Sequence, residues 1–212
     1  MVFYIFDWDG TISDSAAKII ECMQRAAWEL GLPEKDPESI RNIIGLAMRE
    51  AVLDLYPTIT ETQINALRDA YSRHYNQEGS PDSAFFPTAM ETLETLKRDN
   101  CILAVATGKS RAGLDRILSN LGLNSFFHYS RCADETASKP HPLMLNELLQ
   151  ESGIDGDDAV MVGDTEWDMR MAHSAGIRKI AVDYGAHSAE RLMEFKPEMI
   201  VSQFDEILAW RF

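Results

Sequence analysis

The sequence predicts a doubly wound α/β fold: a mainly parallel sheet with helices on both faces and a small α-helical domain inserted near its start. Three observations predict it. Short continuous apolar runs recur along the chain, as strands covered on both faces require. Segments of helical apolar spacing separate them. One long stretch, from about Ser15 to Ser80, contains no strand-like run at all. With 212 residues and 45% hydrophobic content, the chain can bury one substantial core and a small second unit.

The first element is the apolar run Val2 to Phe6, rich in Phe, Tyr and Ile, which stops at Asp7. Within the insert, Ile19, Ile20, Met23, Ala27 and Leu30 form one helical face that ends at Gly31. Pro37 to Ile44 and Gln63 to Tyr75 read as further helices, and Glu78-Gly79-Ser80-Pro81-Asp82 reads as a hinge-like exit. Residues 16–81 are therefore expected to form the helical domain, and residues 1–15 with 82–212 the α/β core. Met90, Leu93 and Leu96 mark the next helix, followed by a strand over Ile102 to Ala106. Helices follow at Leu114, Ile117, Leu118 and Leu121, then at Leu145, Leu148 and Leu149. Three more strands are read at Ala159 to Val162, Lys179 to Val182 and Met199 to Val201. Gly122, Gly153 and Gly176 follow helical stretches, where a left-handed terminal residue favours glycine.

Composition narrows the function. The formal charge of −14 gives a surface field that repels polyanions, so neither nucleic acid nor an anionic membrane is an expected partner. No apolar run approaches the roughly 18 residues of a membrane span. Asp7 and Asp9 come too early for a signal peptide, so a cytoplasmic location is expected. Cys22, Cys101 and Cys132 have no metal-ligand spacing and read as free thiols. There is no internal repeat, and nothing in the sequence specifies an oligomeric state.

The chemistry gathers where an open parallel sheet puts it, beyond the carboxyl ends of the strands. The first run delivers Asp7-Trp8-Asp9-Gly10-Thr11, the second Thr107-Gly108-Lys109, and a later one Gly163-Asp164-Thr165-Glu166-Trp167-Asp168. Ser138-Lys139-Pro140 stands ahead of a helix. Two carboxylates about 4 Å apart repel by roughly 4 kcal/mol at an effective dielectric of 20, and several would share one crevice. A divalent cation resolves the conflict, and hard oxygen ligands without nearby His or Cys favour Mg²⁺ over Zn²⁺. Such a cluster beside a Lys and a Thr suits phosphoryl transfer, in which a carboxylate oxygen attacks phosphorus while cations offset phosphate charge.

In their order and spacing, Asp7-x-Asp9-Gly10-Thr11, Thr107-Gly108, Lys139-Pro140 and Gly163-Asp164-x-x-x-Asp168 resemble the motifs of the haloacid dehalogenase superfamily. The likeness covers nearly the whole chain, including Phe86-Pro87 after the insert and Ala175-Gly176 after the last motif. The insert resembles the helical cap of the phosphoglycolate phosphatase and β-phosphoglucomutase branch. Glu29-Leu30-Gly31-Leu32-Pro33 and Ile43-Ile44-Gly45-Leu46 lie nearest the phosphatase side.

This resemblance implies a Mg²⁺-dependent phosphatase of small phosphorylated metabolites, phosphoglycolate first among them. It makes Asp7 the nucleophile and a metal ligand. Asp9 becomes the general acid and base, with its backbone carbonyl on the metal. Thr107 and the Gly108 amide would hold phosphoryl oxygens, and Lys139 would pair with Asp7 and the phosphate. Asp164 would bind the metal directly, with Asp168 a ligand through water or a supporting carboxylate. Trp8 stands where the family usually has an aliphatic residue, a change expected to affect packing. The acidic Asp9 disfavours halide displacement, because the dehalogenases themselves carry a non-acidic residue there.

Other readings compete. A sugar phosphomutase would use the same Asp pair, and a non-catalytic phosphoryl sensor also sets Asp, Thr and Lys around Mg²⁺. Thr107-Gly108-Lys109-Ser110 is not a P-loop, because Leu103 stands where that motif needs glycine. No GxGxxG supports a dinucleotide site. The five histidines lack paired metal spacing and read as structural, with His141 notable for following Lys139-Pro140; Trp167 is a candidate wall of the entrance. Among cap cations, Lys18, Arg41 and Arg49 are candidates for reaching the substrate.

Overall fold

Alternation along the first strand builds the centre of the molecule. The computed structural model describes residues 2–77 and 83–210. In β1 (Phe3–Phe6), Tyr4 and Phe6 face one side of the sheet while Phe3 and Ile5 face the other, and all four are buried. The chain then leaves for α1 (Ala16–Glu29), α2 (Pro37–Arg41), α3 (Met48–Leu55) and α4 (Glu61–Tyr75). It returns through α5 (Ala89–Arg98), β2 (Ile102–Thr107), α6 (Arg111–Asn120), β3 (Tyr129–Cys132) and α7 (Leu143–Ser152). β4 (Ala159–Gly163), α8 (Glu166–Ala175), β5 (Arg178–Val182), α9 (Ala189–Met193) and β6 (Met199–Val201) complete the core.

All six strands are parallel, in the order β3-β2-β1-β4-β5-β6. β2 and β4 repeat the alternation of β1. Leu103, Val105, Val160 and Val162 share a core with α5 and α6, whereas Ala104, Ala106, Ala159 and Met161 pack against α7 and α8. The sheet is thus covered on both faces, as the apolar runs require. The chain order reverses beside β1, where doubly wound sheets open a crevice for ligands. Phe6 lies beside Val105 and Val162, so Asp7, Thr107 and Asp164 leave their strands at nearly the same level.

Helices α1 to α4 carry a core of their own, in which Met23, Ala27, Ile40, Val52 and Leu67 are buried together. Thr60 caps α4 through a reciprocal pair with Gln63, fixing a start at Glu61. The outgoing and returning segments lie side by side, with the Asp14 amide on the Ala84 carbonyl at 2.8 Å and the Phe86 amide on that of Ile12 at 3.0 Å. The exit segment 78–82 lies outside the described residues. Among those described, no helix is long and apolar enough to cross a membrane, and all three cysteines are free.

The structure corrects three details. β3 is an additional strand: its Ser130 and Arg131 break any apolar run, and Arg131 pairs outward with Glu147 and Glu151 at 2.7 and 2.6 Å. An edge strand needs only one flank in the ladder and tolerates such residues. The helix expected over 37–44 ends at Arg41, with turns leading to Gly45 at φ +94°, a conformation that suits glycine alone. A further helix, α3, then begins at Met48. Trp8 behaves as a packing residue, buried in T-shaped contact with Phe85 and Phe127 at centroid distances of 6.3 and 6.2 Å.

Candidate functional site

The loop after β1 is shaped for close approach. Gly10 has φ +80°, and a Cβ there would overlap the Asp164 carboxylate. That approach brings Thr11 Oγ1 within 2.9 Å of Asp164 Oδ1, while the Ala186 amide donates to Asp164 Oδ2 at 2.7 Å. At the start of α8, Thr165 Oγ1 accepts from the Asp168 amide, and Asp168 Oδ2 accepts from the Thr165 amide and hydroxyl at 3.1 and 2.6 Å. This capping box satisfies helix-end donors and points Asp168 Oδ1 inward. Gly163 permits it, because a Cβ there would overlap the Asp168 side chain. Gly163→Ala is expected to cost about 1–3 kcal/mol by overpacking, read as a lower urea midpoint with unchanged slope.

Asp7, Asp164 and Asp168 are completely buried, and one oxygen from each lies within 4.8 Å of the others. Lys139 Nζ, itself buried, sits 2.6 Å from Asp7 Oδ1 and 2.7 Å from Asp168 Oδ1. Asp7 Oδ2 meets no donor among the described residues. Burial pushes the Asp7 carboxyl well above its ordinary value against the pull of Lys139, and Asp168 and Asp164 raise it further. Burial and then Asp168 push Asp164 up to about 7. Three carboxylates against one ammonium leave the group short of positive charge. That deficit, an oxygen-only donor set and the partnerless Asp7 Oδ2 fit a divalent cation.

The Asp9 carboxylate lies outside this group. Ser15 Oγ donates to its Oδ1 at 2.6 Å, and Lys109 Nζ meets its Oδ2 at 2.9 Å. Lys109 also reaches the Tyr75 hydroxyl of α4 at 3.4 Å. Burial opposes the Lys109 charge, but Asp9 and Tyr75 hold the ammonium above its usual range. The Lys109 amide donates to the buried Thr107 Oγ1 at 3.2 Å. Lys109 thus joins the site, although the sequence pattern gives it no role. Only its position after Thr107-Gly108 hinted at one.

The helical unit sits on the strand ends. A Cβ on Gly108 would meet the Gly45 carbonyl oxygen at 2.5 Å and that of Leu46 at 2.6 Å. Ser138 Oγ accepts from the Ala47 amide at 2.9 Å. Asn42 gathers three core side chains: its carbonyl takes the Trp167 indole N–H at 3.3 Å and lies 3.3 Å from His187 Nε2, and its Oδ1 accepts from Arg191 at 2.7 Å. Trp167 and His187 therefore join the two units, and no sequence signal pointed to Asn42. His141 Nδ1 accepts from the Leu143 amide. Between the units lies a cavity of about 290 Å³, bordered by Asp9, Gly108 and Lys109 on the core and by α1 and α4 on the insert. Lys18, Arg41 and Arg49 do not line it; Arg41 and Arg49 pair with Glu38 and Glu61, and Lys18 lies over the Tyr75 ring. Its arginines are Arg68 and Arg116.

A family model described as haloacid dehalogenase-like hydrolase matches residues 4–182. "Probable phosphatase IndB" of Dickeya dadantii is 33% identical over 96% of this chain and 90% of its own length. A phosphoglycolate phosphatase of Aliivibrio fischeri is 28% identical over 96% of this chain and 93% of its own. The structure of a haloacid dehalogenase-like family hydrolase from Streptococcus pneumoniae superposes with a TM-score of 0.85 at 27% identity, covering 99% of this chain and 97% of that one.

Proposed function

Because the chain belongs to the haloacid dehalogenase-like hydrolases, we propose that it is a Mg²⁺-dependent phosphatase of small phosphomonoesters working through an aspartyl phosphate on Asp7. The observation that carries the reading is the buried, cation-deficient group of Asp7, Asp164 and Asp168 with Lys139 against two of its members. Mg²⁺ held by Asp7, Asp164 and the Asp9 backbone carbonyl would supply charge neutralisation for the carboxylates and the phosphoryl oxygens. Asp168, whose oxygens are committed to Thr165 and Lys139, supports the site or reaches the ion through water.

The remaining roles are those that the family resemblance implies. Thr107 and the Gly108 amide hold phosphoryl oxygens, and Lys139 favours the charged form of Asp7 and holds it in place. One Asp7 oxygen attacks phosphorus; the P–O bond to the alcohol breaks, and Asp9 gives its proton to the departing oxygen. Asp9 then takes a proton from water, which attacks phosphorus, releasing phosphate and restoring Asp7. Residues 16–81 act as a cap that excludes water during the first step and admits it for the second. The reading includes a cytoplasmic location, a soluble phosphorylated metabolite as substrate, and no nucleic-acid or membrane partner.

The relatives make phosphoglycolate the first compound to assay. Phosphate release is expected with Mg²⁺, and excess EDTA should reduce it by at least about 10³-fold, with recovery on adding Mg²⁺ back. Full activity in chelator sinks the metal assignment. Conversion of one sugar phosphate into its isomer with little free phosphate would favour the mutase. A long-lived phosphoprotein without repeated turnover would favour the sensor.

A further inference from the structure

We infer that the alcohol half of the substrate is ring-sized and carries a hydrogen-bond acceptor met by Arg116 and the Tyr71 hydroxyl, so that phosphoglycolate is a poor substrate; this rests on the phosphatase reading above. The cavity is the space beside Asp9 in which a leaving group would lie, and at about 290 Å³ it approaches the lower size of pockets that enclose ring-bearing ligands. One water takes roughly 30 Å³ of liquid, so the glycolate fragment would leave most of the space to solvent. Ile19, Met23, Ile44 and Ile117 line it, a wall that gains from covering apolar body and nothing from a small hydrated anion.

Of its charged side chains and phenols, most are taken. Lys109 is held by Asp9 and Tyr75, and Arg68 by Asp69 at 2.9 Å. Two are not. Among the described residues, neither the Arg116 guanidinium on α6 nor the Tyr71 hydroxyl on α4 has a hydrogen-bond or ion-pair partner, and both residues line the cavity. They stand on opposite sides of the cavity, so the ligand would be offered donors from both α6 and α4. Selectivity would then come partly from α6, not from the cap alone.

The test uses the Mg²⁺-loaded full chain. Ribose 5-phosphate and pyridoxine 5′-phosphate, both primary alcohol esters bearing rings and acceptors, are compared with phosphoglycolate, and acetyl phosphate reports the catalytic centre. At least one ring-bearing ester should exceed phosphoglycolate in kcat/KM by about tenfold or more. Arg116→Gln should raise KM for that ester about tenfold with kcat within about threefold, and Arg116→Lys should recover part of the loss. Phosphoglycolate matching or exceeding both ring-bearing esters, with acetyl phosphate hydrolysed, overturns this inference and leaves the phosphatase reading standing. An unchanged KM in Arg116→Gln overturns the role of Arg116. No hydrolysis of any of the four compounds removes both readings.

Discussion

Asp7→Asn is expected to abolish multiple turnover, lowering kcat by at least about 10⁴-fold, while the protein stays folded. The amide has nearly the shape of the carboxylate, so the close packing after β1 has no steric reason to change. What it lacks is the anionic oxygen that would bond to phosphorus. The stability consequence is less ordinary. Asp7 is buried beside two other carboxylates, and among the described residues its charge is compensated only by Lys139, which it shares with Asp168. Removing a like charge from this group relieves repulsion, so in chelator the variant should melt at or above the temperature of the parent. Saturating Mg²⁺ should then stabilise the parent more than the variant. Near-normal hydrolysis by Asp7→Asn refutes the nucleophile assignment. Unfolding of the variant in chelator would mean that the ion pair with Lys139 outweighs the repulsion.

The same electrostatics give a pH signature. Asp164 is raised from 3.8 to about 7, so in metal-free protein the folded state binds its proton more tightly than the unfolded state. Folding therefore takes up a proton, and the contribution of Asp164 to stability grows as pH falls from above 7 towards 3.8. Thermal melts in EDTA should show a slope in this window that Asp164→Asn removes. Bound Mg²⁺ should also flatten it, since the ion favours the charged carboxylate.

The parts of the site legible in the sequence are those that follow apolar runs. Thr107 ends a strand and Asp7 and Asp164 directly follow one, and a parallel sheet brings strand ends together whatever the intervening chain does. Lys139 is different. It precedes α7 and follows no strand directly, so residue pattern alone does not separate it from a solvated surface lysine; only its place in the motif series does. Lys109 and Asn42 are illegible for a related reason. Their partners, Tyr75 for the one and Trp167, His187 and Arg191 for the other, lie across the join between the helical insert and the sheet. Helical periodicity locates each unit but does not say how they meet. β3 is hidden because an edge strand carrying Ser130 and Arg131 has no apolar signature. By contrast, Thr165-x-x-Asp168 is a capping pattern, and its helical role is readable beside its chemical one.

Lys139→Met removes the single ammonium of the buried carboxylate group while nearly preserving side-chain length. Burial alone would lower the pKa of this lysine; Asp168 and Asp7 overcome that and hold it charged above its usual range. The side chain has no exposed surface, so solvent does not screen the pair. Without the ammonium, three carboxylates share a dry space. Deleting one partner of a buried ion network costs about 3–5 kcal/mol, so a clear drop in melting temperature is expected in chelator, and Mg²⁺ should restore part of it by replacing the lost positive charge. Activity should not follow. In the proposed reaction the ammonium would also offset charge on the phosphoryl group during transfer, and losing one preorganised donor of this kind costs about 10²–10³-fold in kcat. Loss of the fixed orientation of Asp7 adds to that, so a fall of at least about 10³-fold is expected at saturating Mg²⁺, with the fold intact by circular dichroism. Lys139→Arg should not rescue it, because a planar guanidinium cannot occupy a closed slot fitted to an ammonium at 2.6 and 2.7 Å from two separate carboxylates. Hydrolysis by Lys139→Met within about tenfold of the parent would show that the metal alone carries the electrostatic part of the reaction, leaving the lysine as a device for holding the strand ends together.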